Sequence, residues 1–137
     1  MKTIDEIELA KRWFLGGAKR AWHVGNYLDD IPSSYTIWNT SHKKVKHTFA
    51  DTDAIRAQIG TQDEKGKGHG ADIKKYKRRI LKGEKKLPPL LVRLRADGKR
   101  VMMDGNRRCA AIMLLSDKER EGVIIPADIL DEREKPY

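Results

Sequence analysis

The sequence predicts an α+β domain, and three observations carry that reading. Apolar residues recur at helical spacing in some segments and alternate with polar ones in others, so both periodicities are present. Two turn signals in the second half, Ala96-Asp97-Gly98-Lys99 and Asp104-Gly105-Asn106, separate short apolar runs. A chain of 137 residues is near the usual size of one domain and long enough to bury a modest core. The expected organisation is one domain over 1–137, with a helical N-terminal extension at 1–34 and the core at 35–137.

The elements follow in order. Thr3-Ile4-Asp5-Glu6 fits a capping box, and Ile4, Ile7, Ala10, Trp13 and Phe14 predict a helix over 4–15 that Gly16-Gly17 ends. Ala18, Ala21, Trp22 and Leu28 suggest a second short helix closed before Pro32. All three tryptophans lie within the first 38 residues and read as core or covering layer, with a protein-binding surface as the alternative. Residues 35–50 supply one or two strands. Residues 51–59 read as a short helix capped by Asp51, Thr52 or Asp53, and 60–70 as a Gly- and Lys-rich loop.

The second half is clearer. Residues 71–82 read as a helix burying Ile73, Tyr76 or Lys77, and Ile80. Leu87-Pro88-Pro89 then breaks the chain and favours extended backbone. Leu90, Val92 and Leu94 alternate with Leu91, Arg93 and Arg95 in a strand, and Val101-Met102-Met103 returns across the Asp97-Gly98 hairpin. Residues 107–116 form a helix with Cys109, Ile112, Met113 and Leu115 inward. Residues 123–130 form a last strand, where Pro126 marks an edge, an end or a bulge. The tail from Asp131 is charged and reads as frayed.

Charge is unevenly placed. The formal net charge is +9, yet residues 65–86 alone hold ten Lys/Arg against Asp72 and Glu84. Such a patch concentrates phosphorylated partners nearby. Lys74, Lys77 and Arg78 are the candidate nucleic-acid contacts, set against the plainer reading of a solvated helix face. No apolar run approaches the length of a membrane helix, and the acidic N-terminus is unlike a signal peptide. The single cysteine, Cys109, suits a reducing, cytoplasmic location. His23, His42, His47 and His69 fall on separate segments, so no zinc site is expected, and no P-loop sequence is present.

The unit that carries chemistry is strand, Asp104-Gly105-Asn106-Arg107-Arg108, helix. A glycine at such a turn admits close backbone approach, and first-turn amides bind anions. Two arginines there oppose the helix dipole unless an anion is present, and Asp104 is the internal candidate. Pro88-Pro89-Leu90-Leu91-Val92, the hairpin, Asp104 to Ala111, and Ile125-Pro126-Ala127 together resemble the ParB/sulfiredoxin superfamily over about residues 70–130.

That resemblance implies a small mixed sheet with helices packed on it, and a nucleotide-binding protein with ATP or CTP and Mg²⁺ as expected ligands. Asp104, Gly105, Asn106, Arg107 and Arg108 would hold the phosphates, and Lys75 and Arg79 would contact the nucleotide from the preceding helix. The Gly-x-x-Arg pattern favours Arg108 in the pocket and Arg107 at its rim. Kinase members draw a carboxylate from the preceding segment, where Asp51, Asp53, Asp63, Glu64 and Asp72 are the choices. Asn106 stands where sulfiredoxins carry their reactive cysteine, and Cys109 lies three residues later facing the core, so peroxiredoxin repair is not expected. The DNA-reading and dimerisation regions of partition proteins are not expected within these 137 residues. The expected function is nucleotide hydrolysis or phosphoryl transfer. The alternatives are a nucleic-acid-binding module or nuclease acting on DNA through 65–86, and an adaptor with a vestigial site.

Overall fold

A computed structural model describes residues 2–3, 20–36, 45–58 and 69–133. Its centre is a mixed sheet of five strands: β1 (Lys2–Thr3), β2 (Arg20–Val24), β3 (Leu90–Leu94), β4 (Arg100–Asp104) and β5 (Ala127–Asp131). Their order is β1-β2-β5-β3-β4, with β3 and β5 parallel and the other neighbours antiparallel. Among the described residues four α-helices accompany it: α1 (Thr52–Gln58), α2 (His69–Leu81), α3 (Asn106–Met113) and the single turn α4 (Asp117–Arg120). The α+β class is therefore as the two periodicities indicate.

One face of the sheet meets the helices. Val92 pairs with Met102 on one side and Ile129 on the other, and Ile129 pairs with Trp22, so this row spans four strands. Ile73 and Ile80 of α2 and Cys109, Ala110, Ala111 and Ile112 of α3 join it in one buried cluster. The second face carries Ala21, Leu91, Val101 and Leu130, which are buried too. The alternation of Leu90, Val92 and Leu94 against Leu91 and Arg93 thus separates two faces, both largely covered.

Several expectations need correction. The expected second helix near 18–28 is instead strand β2, followed by a 3-10 helix at Leu28–Ser33 with Pro32 inside it. Pairing along the whole of β5 outweighs the weak helical pattern, because β5 would otherwise present an open edge. The helical extension over 1–34 is corrected to that extent, and the helix over 4–15, with Trp13, lies outside the described residues. So do Trp38, His42 and the loop residues 60–68. Around 35–50 the described residues form only bridges, Tyr35 with Thr48 and with Val101.

The last strand begins at Ala127 rather than 123. Pro126 has no amide to donate, although its carbonyl still accepts from Leu90 at 2.8 Å. Asp131 is not frayed: it ends β5, is buried, and accepts from Arg133 and Trp22. The expected helix 107–116 ends at Met113. Ser116 then caps α4 through a reciprocal capping box with Glu119, an element the apolar periodicity did not reveal.

Candidate functional site

The site is built around the turn from β4 into α3. Gly105 is the N-cap of α3 and adopts φ +103°, a left-handed conformation that favours glycine. A Cβ there would lie 2.3 Å from Leu90 Cδ2 and 3.1 Å from the Arg108 guanidinium. The close approach that demands glycine is therefore to the protein's own strand β3. Gly105 also brings no capping side chain, so the first-turn amides of α3 are not satisfied from the N-cap.

Asn106 is buried and staples the turn. Its Nδ2 donates to the Met102 carbonyl at 3.0 Å, while Thr36 Oγ1 donates to its Oδ1 at 3.0 Å. Thr36 belongs to the segment that runs beside β4, since Tyr35 N donates to Arg100 O and Met102 N to Tyr35 O. Asn106 is thus a positioning residue.

The two arginines both line the cavity but take different partners. Arg108 is only 8% exposed, and its guanidinium donates to the Pro88 carbonyl at 2.6 Å and the Pro89 carbonyl at 3.3 Å. Asp104 lies 3.8 Å away from it. The two prolines interrupt the sheet ladder and leave carbonyls that need donors, which Arg108 supplies. Arg107, on the neighbouring side of α3, reaches α2 and forms an ion pair with Asp72. Asp72 of another helix is thus an anion beside Arg107, while Asp104, the internal candidate, lies beside Arg108.

These groups line a cavity of about 420 Å³, open to solvent and bounded by Asp72 and Tyr76 of α2, Pro88, and residues 103–108. That volume suits a small ligand. Two carboxylates and two guanidiniums meet there, so its formal charges balance. Asp72 and Asp104 are each nearly half exposed toward it. They are hard oxygen donors of the kind Mg²⁺ uses alongside phosphate oxygens and water, so the donor set fits that ion. Among the described residues no three His, Cys, Asp or Glu side chains group as a metal site of their own.

No protein-family model, curated protein or solved structure matches this chain. The geometry alone sorts the remaining candidates.

Lys75 is exposed and does not line the cavity, and neither does Arg79, which forms a double ion pair with Glu84. Arg79 also sits 5.9 Å over the Tyr76 ring, the aromatic neighbour that the sequence reading did not place in the site. Its spacing from Asp72, four residues on one helix, was the available signal. Among the carboxylates, Asp51 caps α1 by accepting from Ala54 N at 3.0 Å and pairs with His47. Asp53 is exposed on α1 opposite Arg56. Neither lines the cavity; Asp72 does. Asp63 and Glu64 lie outside the described residues. Lys74 and Arg78 flank an open groove on the outer side of α2, whereas Lys77 lies near Glu119 of α4. Cys109 is fully buried, and burial pushes its thiol far above the usual range, so it is no nucleophile.

Proposed function

We propose that the cavity between α2 and the β4–α3 turn binds a nucleoside triphosphate and supports hydrolysis or transfer of its terminal phosphoryl group. The observation that carries this reading is the Arg107–Asp72 ion pair across the cavity, beside helix amides with no cap. The resemblance of residues 70–130 to a superfamily of nucleotide-binding proteins points the same way.

A phosphate competes with Asp72 for Arg107, because the guanidinium fork matches phosphate as well as carboxylate oxygens, the phosphate chain brings more negative charge, and the α3 amides add donors from the same side. Arg107 exchanges Asp72 for the phosphate as the nucleotide binds. Asp72 is thereby released next to the phosphates, where it can orient or deprotonate an attacking water or hydroxyl. A triphosphate entering a charge-balanced site needs a companion cation. Mg²⁺ would neutralise the phosphate charge, and Asp72 and Asp104 are the residues that would hold it. Arg108 and Asn106 keep the turn in shape and make no claim on the substrate.

The test is calorimetric titration of ATP and CTP, with and without Mg²⁺, into the wild-type chain and two variants. Arg107→Ala is expected to weaken binding by about 1.5–3 kcal/mol. Asp72→Asn removes the competing carboxylate, so it should tighten binding of the nucleotide without Mg²⁺ while lowering turnover. No heat with any nucleotide, or full affinity in Arg107→Ala, overturns the reading.

A further inference from the structure

The outer face of α2 carries charge of one sign. Lys74, Lys75 and Arg78 of α2 are exposed, as is Lys82 just past its end, whose amide continues the helical bonding to the Arg78 carbonyl at 3.0 Å. At 100° per residue they fall within about 100° of arc, centred opposite the buried Ile73 and Ile80. The nearby acids are committed elsewhere: Asp72 to Arg107, Glu84 to Arg79, and Glu119 beside Lys77 and Lys85. Lys74, Lys75, Arg78 and Lys82 have no ion pair among the described residues.

A face that merely solvates a helix interleaves both signs, since opposite charges four apart support it and like charges four apart oppose it. Here Lys74 and Arg78, and Arg78 and Lys82, are like charges four apart. Among the described residues no acid pairs with these cations to relieve that repulsion. An extended polyanion relieves it.

We propose that this face of α2 docks on the sugar–phosphate backbone of a nucleic acid, with Lys74, Lys75, Arg78 and Lys82 contacting successive phosphates. From Lys74 to Lys82 the stripe runs about 12 Å along the helix. Phosphates of one strand advance about 3.4 Å each along a duplex, so the stripe spans about three of them. An open groove of about 370 Å³ between Gly70, Ala71, Lys74 and Arg78 widens the contact at one end. Among the described residues no aromatic or amide side chain shares this face with the four cations, so they position a backbone and read no bases. An anionic membrane fits less well, because Leu81 is the only large apolar side chain exposed on the described part of this helix. Lys77 has no part in the contact, because it lies beside Glu119.

The surface is independent of the cavity, and its test is built to fail separately. Anisotropy titrations of a fluorescent 20-base-pair duplex with the full chain are run from 50 to 300 mM KCl. The wild-type log–log slope should be about −3 to −4, and replacing Lys74, Lys75, Arg78 and Lys82 by Gln should flatten it by about 3 units. Lys77→Gln and Arg107→Ala should leave the slope unchanged, and the stripe variant should keep the wild-type response to nucleotide. Melting curves verify that each variant folds. Should the fourfold variant unfold, Lys74→Gln with Lys82→Gln carries the test, with about half the change in slope. Absence of duplex binding at 50 mM, an unchanged slope in the stripe variant, or binding to phosphatidylserine vesicles without duplex binding overturns the proposal.

Discussion

Arg107 and Arg108 are adjacent, identical in chemistry and opposite in use. Arg108 lies against the Pro88 and Pro89 carbonyls, which the broken sheet ladder leaves without backbone donors, and it is nearly sealed from water. Removing it leaves two carbonyls in search of partners and a hole beside Leu90. Arg108→Ala should therefore lower stability by about 2–4 kcal/mol, measured by urea unfolding of the ligand-free chain. Arg107 lies more open to solvent and pairs with Asp72, which is itself 42% exposed, and exposed pairs contribute little. Arg107→Ala should change stability by less than about 1 kcal/mol. Equal losses from the two variants would contradict this division.

The turn between β4 and α3 is the element on which the site depends. Gly105 combines a left-handed backbone with direct contact between its Cα side and Leu90 Cδ2, so two independent penalties fall on any side chain. Gly105→Ala should cost about 2–4 kcal/mol from the backbone conformation and the forced shift of Leu90 together. Because the turn would move, nucleotide binding should weaken as well; a variant with wild-type melting temperature would show the turn to be adaptable. The surrounding elements hold it from three sides. Asn106 ties it to β4 and to Thr36, Arg108 ties it to the segment before β3, and Arg107 ties it to α2.

Across the molecule, several carboxylates are held below their ordinary values by partners. Asp131 is lowered chiefly by Arg133, Asp51 by the Ala54 amide, and Glu119 by the Ser116 cap. A carboxyl depressed in the folded state contributes stability above its unfolded pKa. That contribution is lost as pH falls through the folded value. The urea midpoint should therefore decline as pH drops below about 4.5, and the net charge of +9 adds repulsion as the remaining acids protonate. Asp131→Asn should lower the midpoint at neutral pH and make the acid decline shallower. An acid limb of unchanged steepness would remove Asp131 from the account. No helix among the described residues is long and apolar enough to cross a membrane.

What the sequence alone determined is local. The hairpin at Asp97-Gly98, the break at Pro88-Pro89, the glycine turn before α3 and the buried side of α2 each follow from neighbours a few residues apart, whose turn chemistry and spacing act within one element. The Asp51 cap and the capping box of Ser116 are of the same kind, although the second was hidden by the short length of α4. Tertiary structure decided what depends on distant partners. The segment around Trp22 is a strand because β5 lies alongside to pair with it. Asp72 belongs to the site, and Asp51 and Asp53 do not, because α2 packs against α3 and α1 sits elsewhere. Arg107 reaches Asp72 across the cavity while Arg108 meets two carbonyls, since a side chain's role follows from which partner reaches it across the fold. Spacing along a chain fixes the side of a helix on which a residue lies; only packing determines what that side meets.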